Sequence, residues 1–424
     1  MAITIPLKSS NKQIIISCMI GNALEWYDFV IYGFFAPIIG NTFFPNYQPI
    51  AQALAIWGIF WSGFIVRPLG GLFFGYLGDK IGRKFAITLS IYVMAIPTTL
   101  IGLTPSFEQI GLLAPVILII LRLLQGFAMG GEFTGTIIFL VEHAKPNNRC
   151  LWGSWASFSI VIGVIVGSMI TMAITNSLAS EALKSWGWRI PFIICIVGGL
   201  VGGYIRQHLT DPHVFVALKN VKENANLPIT PIKTLLTKNK ALVGLVMLID
   251  FLTAIGFYTL VIFLPSYFTS YLHFKTGDVF IINTINMIIF SVFIFLGGLL
   301  GDKFGRRWVL TVPCIFLFIL SYPLFLMIQG GSYWSLVAMQ ATLAIAFGIF
   351  QGIIPVTIAE IMPMSVRYTG VSFAHNLSMA IFGGSAPFLA TKLIQSTELL
   401  TAPAFMLMTA SLLSFIGTFF LKTK

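Results

Sequence analysis

The ten residues GYLGDKIGRK at positions 75–84 return as GLLGDKFGRR at positions 298–307, after an interval of 223 residues. Each copy follows a long apolar run and contains three glycines, one aspartate and three basic residues. A match of this detail over so long an interval indicates that a whole section of the chain is duplicated.

A second pair of positions repeats at nearly the same interval. Glu142 precedes Arg149 by seven residues, and the same spacing separates Glu360 from Arg367, 218 positions further on. These two independent signals predict two related halves, which are separated by the longest polar segment of the chain. The predicted N-terminal six-helix bundle, cytoplasmic linker and C-terminal six-helix bundle are residues 1–205, 206–240 and 241–424.

The composition predicts a membrane protein. Apolar residues make up 57% of the sequence and charged residues only 9%, whereas soluble proteins carry about 25% charged residues. Twelve apolar runs approach or exceed the ~20 residues that a helix needs to cross the hydrocarbon core. The predicted fold class is therefore all-α, with twelve transmembrane helices. The predicted spans are 14–39, 52–77, 85–104, 112–141, 152–175, 189–206, 241–265, 279–300, 308–328, 333–360, 370–393 and 403–421.

The net charge of +11 is explained by membrane topology rather than by a nucleic-acid-binding surface. With a cytoplasmic N-terminus, 19 of the 25 Lys and Arg residues fall in cytoplasmic segments, and only Arg67 and Arg122 fall within spans. This positive-inside bias predicts that both termini are cytoplasmic. The first apolar run contains Glu25 and Asp28 and lacks a small-residue cleavage site, which indicates a retained helix rather than a signal peptide.

Charged groups at membrane depth are costly and usually functional. With only two bases inside the spans, full ionisation of the acids there would leave two net negative charges, so a low-dielectric interior favours protonation of one or two of them. Such an acid can couple transport to a proton, or it can pair structurally with a base. The acids well inside the predicted spans are Glu25, Asp28, Glu132 and Asp250.

The first span combines acids with aromatic residues. Glu25 and Asp28 are three residues apart and share one helical face. Trp26, Tyr27 and Tyr32 add aromatic surface nearby, either for a ligand or for packing.

Two residues of the fourth span have alternative roles. Arg122 can bind a substrate carboxylate through two hydrogen bonds, or it can pair with an acid of the first span. Glu132 follows two glycines that permit close helix approach, so it either carries a proton or bridges helices.

The second half contains four further candidates. Asp250 lies early in the seventh span, and Tyr258 lies about two turns further on, on a similar face. His375 lies with Asn376 early in the eleventh span, where a histidine can join a proton path or simply be a packed, hydrogen-bonded residue.

The Gly-x-x-x-Asp-Lys-x-Gly-Arg loop resembles the signature of the major facilitator superfamily. Further strings resemble its metabolite:proton symporter branch, and within it the proline/betaine transporters, over essentially the whole chain. The resemblance implies the major facilitator fold and proton symport of a small molecule across a bacterial inner membrane. The strings are GNALEWYDF at 21–29, RPLGG at 67–71, QGFAMGGE at 125–132, WGWRIPF at 186–192 and RYTG at 367–370.

The resemblance also implies a charge-relay lock at the cytoplasmic loops, where the glycines would allow tight turns. The basic residues alone could be a topology signal, but that alternative does not account for the acids. Some proline/betaine transporters carry a cytoplasmic coiled-coil tail linked to osmotic regulation. This sequence ends after the last span, so the resemblance does not extend to that tail or to the osmotic activation linked to it. The predicted gating residues are Gly75, Asp79, Gly82, Arg83, Glu142, Arg149, Asp302, Arg306, Glu360 and Arg367.

Transport is the function class that these features favour. A membrane enzyme would need clustered catalytic or metal-binding residues, and a channel would need a filter loop; the sequence shows neither, and its cysteines and histidines are scattered. No Gly-x-x-x-x-Gly-Lys-Ser/Thr loop is present, so we expect an ion gradient rather than ATP, and no cofactor. The predicted substrate is a small zwitterion such as proline or betaine, with an organic anion such as 2-oxoglutarate as the alternative.

Overall fold

The computed structural model describes residues 10–45, 49–224 and 231–421, and every regular element in this part of the chain is helical. Twelve helices there are long and apolar enough to cross a membrane, which confirms the predicted fold class. Their ends differ from the predicted ends by six residues or fewer. They are Asn11–Phe43, Pro49–Lys80, Arg83–Leu103, Leu113–His143, Pro146–Ser177, Gly187–Gln207, Lys240–Ser270, Thr276–Phe304, Arg306–Ile328, Tyr333–Ile361, Met364–Thr397 and Ala402–Phe419.

Two of these spans are not continuous α-helices. The seventh span is α-helical over Lys240–Phe257 and widens into a π-helix over Tyr258–Phe263 before the α-helix resumes. The eleventh span contains a π-helix over Met379–Gly383. A side chain on Gly383 would come within 2.7 Å of the Tyr258 ring, so the glycine allows the two widened segments to lie together. Short π-helical segments are rare and frequently occur at functional sites.

The chain forms two compact units, and each contains a short segment from the other half of the sequence. The predicted division into two bundles and a linker stays a prediction. The first unit is Met1–His143, Ser159–Thr234 and Met364–Phe373. The second unit is Ala144–Phe158, Leu235–Pro363 and Ala374–Lys424.

Within each unit, small residues allow two helices to make backbone contact. In the first unit, a side chain on Gly126 of the fourth span would collide with the backbone oxygen of Gly63 in the second span. In the second unit, Gly352 of the tenth span approaches the backbone oxygen of Ile294 in the eighth span in the same way. Such close approach favours helix association in lipid, where apolar burial gives little driving force between helices.

The polar linker contributes to the first unit. Its helices are His213–Asn224 and Pro231–Lys238. Phe215, on the first of these helices, is buried, and its ring centroid lies 4.7 Å from the guanidinium carbon of Arg83. The Asp211 carboxylate accepts a hydrogen bond of 2.7 Å from the backbone N–H of Lys84. The linker therefore contacts the first copy of the repeated loop.

Candidate transport and gating sites

Asp28 and Arg122 form a buried polar centre in the first unit. The Arg122 guanidinium donates to Asp28 Oδ2 at 3.1 Å, and the Gln125 amide donates to Asp28 Oδ1 at 2.9 Å. The Tyr32 ring covers the guanidinium, with its centroid 3.7 Å from the central carbon. Of the two roles that the sequence left open for Arg122, pairing with an acid of the first span is present in the structure.

Glu25 faces a different helix from Asp28, although the two residues are one turn apart. Its carboxylate lies 3.8 Å from the Arg67 guanidinium, and both side chains are buried. Neither carboxylate oxygen of Glu25 has a hydrogen-bond partner within the described part of the chain. The two acids of the first span therefore lie against separate arginines.

Arg206 is a buried base that the sequence did not single out. The sequence placed Arg67 and Arg122 within spans, and Arg206, at the end of the sixth span, is also fully buried inside the protein. It binds Glu132 through both terminal nitrogens, and its Nη1–Oε2 bond is 2.9 Å long. Ser90 donates a further hydrogen bond of 2.5 Å to the same carboxylate.

This arrangement favours the helix-bridging role of Glu132 over the proton-carrying role, because a bidentate arginine stabilises the ionised carboxylate. The position of Arg206 at a helix end concealed its role, since a long side chain at that position can extend along the helix in either direction. Three of the four acids predicted inside the spans thus lie against arginines. Among the described residues, the fourth acid, Asp250, lies against a histidine instead.

The predicted aromatic residues of the first span have other contacts. The Tyr27 hydroxyl donates to the backbone oxygen of Pro191 at 2.7 Å. The Trp26 ring packs against Phe29, with 5.2 Å between centroids. Tyr32 is therefore the first-span aromatic residue that stacks on the Arg122 cation.

In the second unit, Asp250 and His375 lie together. His375 Nδ1 is 2.7 Å from Asp250 Oδ2, and both side chains are buried. The other carboxylate oxygen of Asp250 has no hydrogen-bond partner among the residues that the structure describes. Tyr258 begins the π-helix of the seventh span, and Asn376 is fully buried beside His375. The sequence identified these residues singly, and the fold forms the pair.

The first repeated loop binds the start of the helix Arg367–Ser378. The Asp79 carboxylate accepts hydrogen bonds from the backbone N–H groups of Tyr368 at 3.3 Å and Thr369 at 2.9 Å, and from the Thr369 hydroxyl at 2.7 Å. An acid in this position satisfies free N–H groups and opposes the positive end of the helix dipole. Gly75 lies inside a helix rather than in the expected turn. Its lack of a side chain leaves room for the Thr369 backbone.

Arg83 and Glu142 complete this first network. The Arg83 guanidinium pairs with Asp79 and donates from Nε to Glu142 Oε2 at 3.1 Å. Glu142 also accepts a hydrogen bond of 3.2 Å from Arg367. Gly82 precedes the third span, and a side chain there would come within 2.5 Å of the Asp211 carboxylate.

The second repeated loop binds the start of another helix in the same way. The Asp302 carboxylate accepts hydrogen bonds of 2.9 Å from the backbone N–H groups of both Cys150 and Leu151. These N–H groups belong to the first turn of the helix Arg149–Ser177. Both copies of the aspartate therefore cap a helix that comes from the opposite half of the sequence.

The ion pairs of this second network are more exposed than those of the first. Glu360 binds Arg149 at 2.8 Å and also pairs with Arg306. The side chains of Arg149 and Arg306 are 31% and 26% exposed, whereas that of Arg83 is 1% exposed. Water therefore screens the second network more strongly than the first.

An amide cluster that sequence reasoning missed lies between the eighth and tenth spans of the second unit. The Asn286 amide donates to the Gln340 carbonyl at 2.6 Å, and the Gln340 amide nitrogen is buried without a partner among the described residues. Both residues line a small recess, together with Phe290 and Phe347. The available signal was an amide side chain within an otherwise apolar run.

Twelve membrane helices, buried ion pairs and two copies of a loop network are features of a secondary transporter. The sequence profile of the Major Facilitator Superfamily matches residues 18–387 and 246–423. The chain belongs to this superfamily. Its predicted resemblance to the proline/betaine transporters is also confirmed.

The proline/betaine transporter of Salmonella typhimurium is 35% identical over 413 residues, which cover 96% of this chain and 82% of that protein. The citrate-proton symporter of Klebsiella pneumoniae is 31% identical over 408 residues, which cover 95% and 90% of the two chains. Among solved structures, the proton:xylose symporter XylE bound to 6-bromo-6-deoxy-D-glucose matches with a TM-score of 0.82 at 16% identity, over 97% of this chain and 96% of that one. The last comparison shows the fold alone and confirms the predicted major facilitator architecture.

Proposed function

We propose that this protein is a transporter rather than an enzyme, and that it carries a small zwitterion such as proline or glycine betaine together with a proton. The observation that carries this proposal is the Asp28–Arg122 pair, because it presents one negative and one positive group side by side in a buried site. The similarity to proline/betaine transporters supports the same substrate class.

A zwitterion matches this pair in both charge and geometry. Its carboxylate can replace Asp28 on the planar fork of Arg122, and its cationic end can then interact with the released aspartate. The Tyr32 and Phe60 rings, whose centroids lie 3.7 Å and 5.4 Å from the guanidinium carbon, provide aromatic faces that suit a quaternary ammonium. Because the ligand has no net charge, the site stays balanced when it binds.

Proton symport of an organic anion is the alternative, and the similarity to citrate-proton symporters favours it. A multiply charged anion needs surplus positive charge in its site. In the described part of the first unit, the three buried arginines beside Glu25, Asp28 and Glu132 are each already matched by an acid. The charge balance therefore favours the zwitterion.

The two loop networks are proposed to control exchange between the alternate states of the transport cycle. Each network holds the first turn of a helix by an aspartate, Asp79 or Asp302, and reinforces that contact with ion pairs. Hydrogen bonds at a helix terminus can break without unfolding the helix, so such contacts suit a step that must reverse in every cycle.

The proposed location is a bacterial inner membrane, with both termini and the linker in the cytoplasm. The distribution of Lys and Arg supports this orientation. Single cysteines placed in the 206–240 linker of a cysteine-free background should react with a membrane-impermeant maleimide only after cells are opened. Labelling of intact cells would refute the orientation.

Uptake into proteoliposomes tests the substrate. With an imposed pH gradient, excess glycine betaine should block uptake of radiolabelled proline, and 2-oxoglutarate should have little effect. Arg122→Ala should raise the KM for proline by about 100-fold or abolish uptake, since truncating a buried, hydrogen-bonded charge costs about 2–5 kcal/mol. Arg307→Ala is a matched control, because Arg307 lies at a helix end over the Phe419 ring. Inhibition by 2-oxoglutarate with none by betaine would instead establish the organic anion.

A further inference from the structure

We infer that Asp250 and His375 together form the proton-binding site of this transporter and carry one proton in each cycle. This inference rests on the proposed proton symport. It assigns the proton to a pair in the second unit.

The geometry of the pair suits a shared proton. His375 Nδ1 and Asp250 Oδ2 are 2.7 Å apart, and both side chains are buried. The second carboxylate oxygen of Asp250 has no hydrogen-bond partner among the described residues. The proton can therefore reside on the imidazole or on the carboxyl group, and in either form the loaded pair has no net charge.

The helices around the pair contain little other charge. The tenth and twelfth spans pack against the seventh and contain no lysine or arginine. The acid of the tenth span, Glu360, is at the helix end and is occupied by the loop network. On the eleventh span, Arg367 lies eight residues before His375 and pairs with Glu142, and Lys392 is about five helical turns beyond His375. Tyr258, in the adjoining π-helix, is the nearest phenol on the seventh span.

This environment makes the charge of the pair dependent on one proton. Loss of the proton leaves one negative charge on Asp250 in a low-dielectric interior, which is unfavourable without a neighbouring cation. An arginine in place of His375 would keep its proton and prevent the change, as in the three pairs of the first unit. Histidine is the side chain whose charge ordinarily changes near neutral pH.

The pair also lies next to the irregular parts of its helices. The π-helix at Tyr258–Phe263 begins eight residues after Asp250, and the one at Met379–Gly383 begins four residues after His375. Gly383 allows these two segments to pack together. A change of charge at the pair would therefore occur next to the segments where the backbone departs from ideal α-helix geometry. Such π-helical segments frequently occur at functional sites.

The test separates proton coupling from substrate movement in proteoliposomes that contain the full chain. Valinomycin and equal potassium on both sides clamp the membrane potential, so an imposed pH difference is the driving force. One proton moving down one pH unit can support an accumulation ratio of about ten. We expect this ratio for the wild type and a ratio of about one for Asp250→Asn and for His375→Gln. Both variants should keep proline counterflow at equal pH within about threefold of the wild type, because the substrate site is intact.

Three controls make the result decisive. His208→Gln replaces an exposed histidine whose ring contacts the Tyr204 backbone, and it should accumulate proline like the wild type. Counterflow in the same vesicles shows that each variant is folded. A trapped pH dye should report proton entry with proline for the wild type and none for His375→Gln.

The possible outcomes distinguish the inference from the proposed function. Normal accumulation by both Asp250→Asn and His375→Gln would overturn the inference and leave proton symport intact. Loss of accumulation in Glu25→Gln with normal coupling in His375→Gln would also overturn it and place the proton in the first unit. Wild-type uptake that ignores the pH difference would instead overturn the proposed proton symport itself.

Discussion

The two units hold their buried charges in different ways. In the first unit, three carboxylates each lie against an arginine, and the Arg83 network is almost completely buried. In the second unit, Asp250 lies against His375, and the Glu360 network is partly exposed. An arginine keeps its proton at physiological pH, whereas histidine is the side chain that ordinarily gains and loses a proton near neutral pH. The inferred proton site therefore lies in the unit whose buried acid is paired with a histidine rather than with an arginine.

The largest expected effect comes from breaking one of the buried acid–arginine pairs of the first unit. Glu132→Gln should lower the free energy of unfolding by about 3–5 kcal/mol, because it leaves the buried Arg206 cation without its counter-charge. The measurement is the thermal unfolding midpoint of the purified protein in detergent. Glu132→Gln combined with Arg206→Gln should recover at least half of the loss, since no charge is then left unpaired. Two additive losses would contradict the pairing.

The next prediction compares the two aspartates that cap helices. Asp79→Asn should slow turnover by about tenfold or more, because Asp79 binds two backbone N–H groups, a hydroxyl and Arg83, and charge-assisted hydrogen bonds contribute about 1.5–3 kcal/mol each. Asp302→Asn should slow turnover less, since its two backbone bonds lie in a more exposed network. The KM for proline should change by less than about threefold in both variants. Lost substrate binding with normal turnover would count against a gating role.

The glutamates of the two networks provide a matched pair with a smaller expected difference. Glu360→Gln should change turnover by less than about threefold, because partly exposed ion pairs contribute about 0.2–1 kcal/mol. Glu142→Gln, which removes a buried partner of Arg83, should have the larger effect. Raising the ionic strength to about 0.5 M should reduce the difference in turnover between Glu360→Gln and the wild type. The difference in turnover between Glu142→Gln and the wild type should not change. Equal salt dependence in both variants would show that burial does not separate the networks.

The most local expected effect concerns the linker, which contacts the first of the two loops. Asp211→Ala should destabilise the start of the third span by about 1 kcal/mol, because it removes the acceptor for the backbone N–H of Lys84 at a helix N-terminus. Hydrogen exchange of the first turn, residues 83–87, is the direct measurement. Asp211→Asn keeps an acceptor oxygen and should exchange nearly like the wild type. Unchanged protection in Asp211→Ala would show that the linker contact does not stabilise this helix.

The sequence predicted the site residues unevenly. The charged motif positions, such as Asp79 and Arg83, could be predicted from the sequence because they repeat and because the membrane topology does not explain the acids in these basic loops. The pairing of Arg206 with Glu132 was not predicted, since the helix-end position of Arg206 did not reveal that its side chain is buried inside the protein. Asn286 and Gln340 were missed because a neutral amide in an apolar run gives only a weak signal.

The sequence by itself determined the number of helices, their boundaries within a few residues and the duplication, because these depend on the length and repetition of apolar runs. Tertiary structure alone decided which charges meet. The pairs Asp28–Arg122, Glu132–Arg206 and Asp250–His375 join residues 94, 74 and 125 positions apart. Such contacts depend on the rotation and close packing of helices, which the apolar pattern of a nearly uniformly hydrophobic span does not encode.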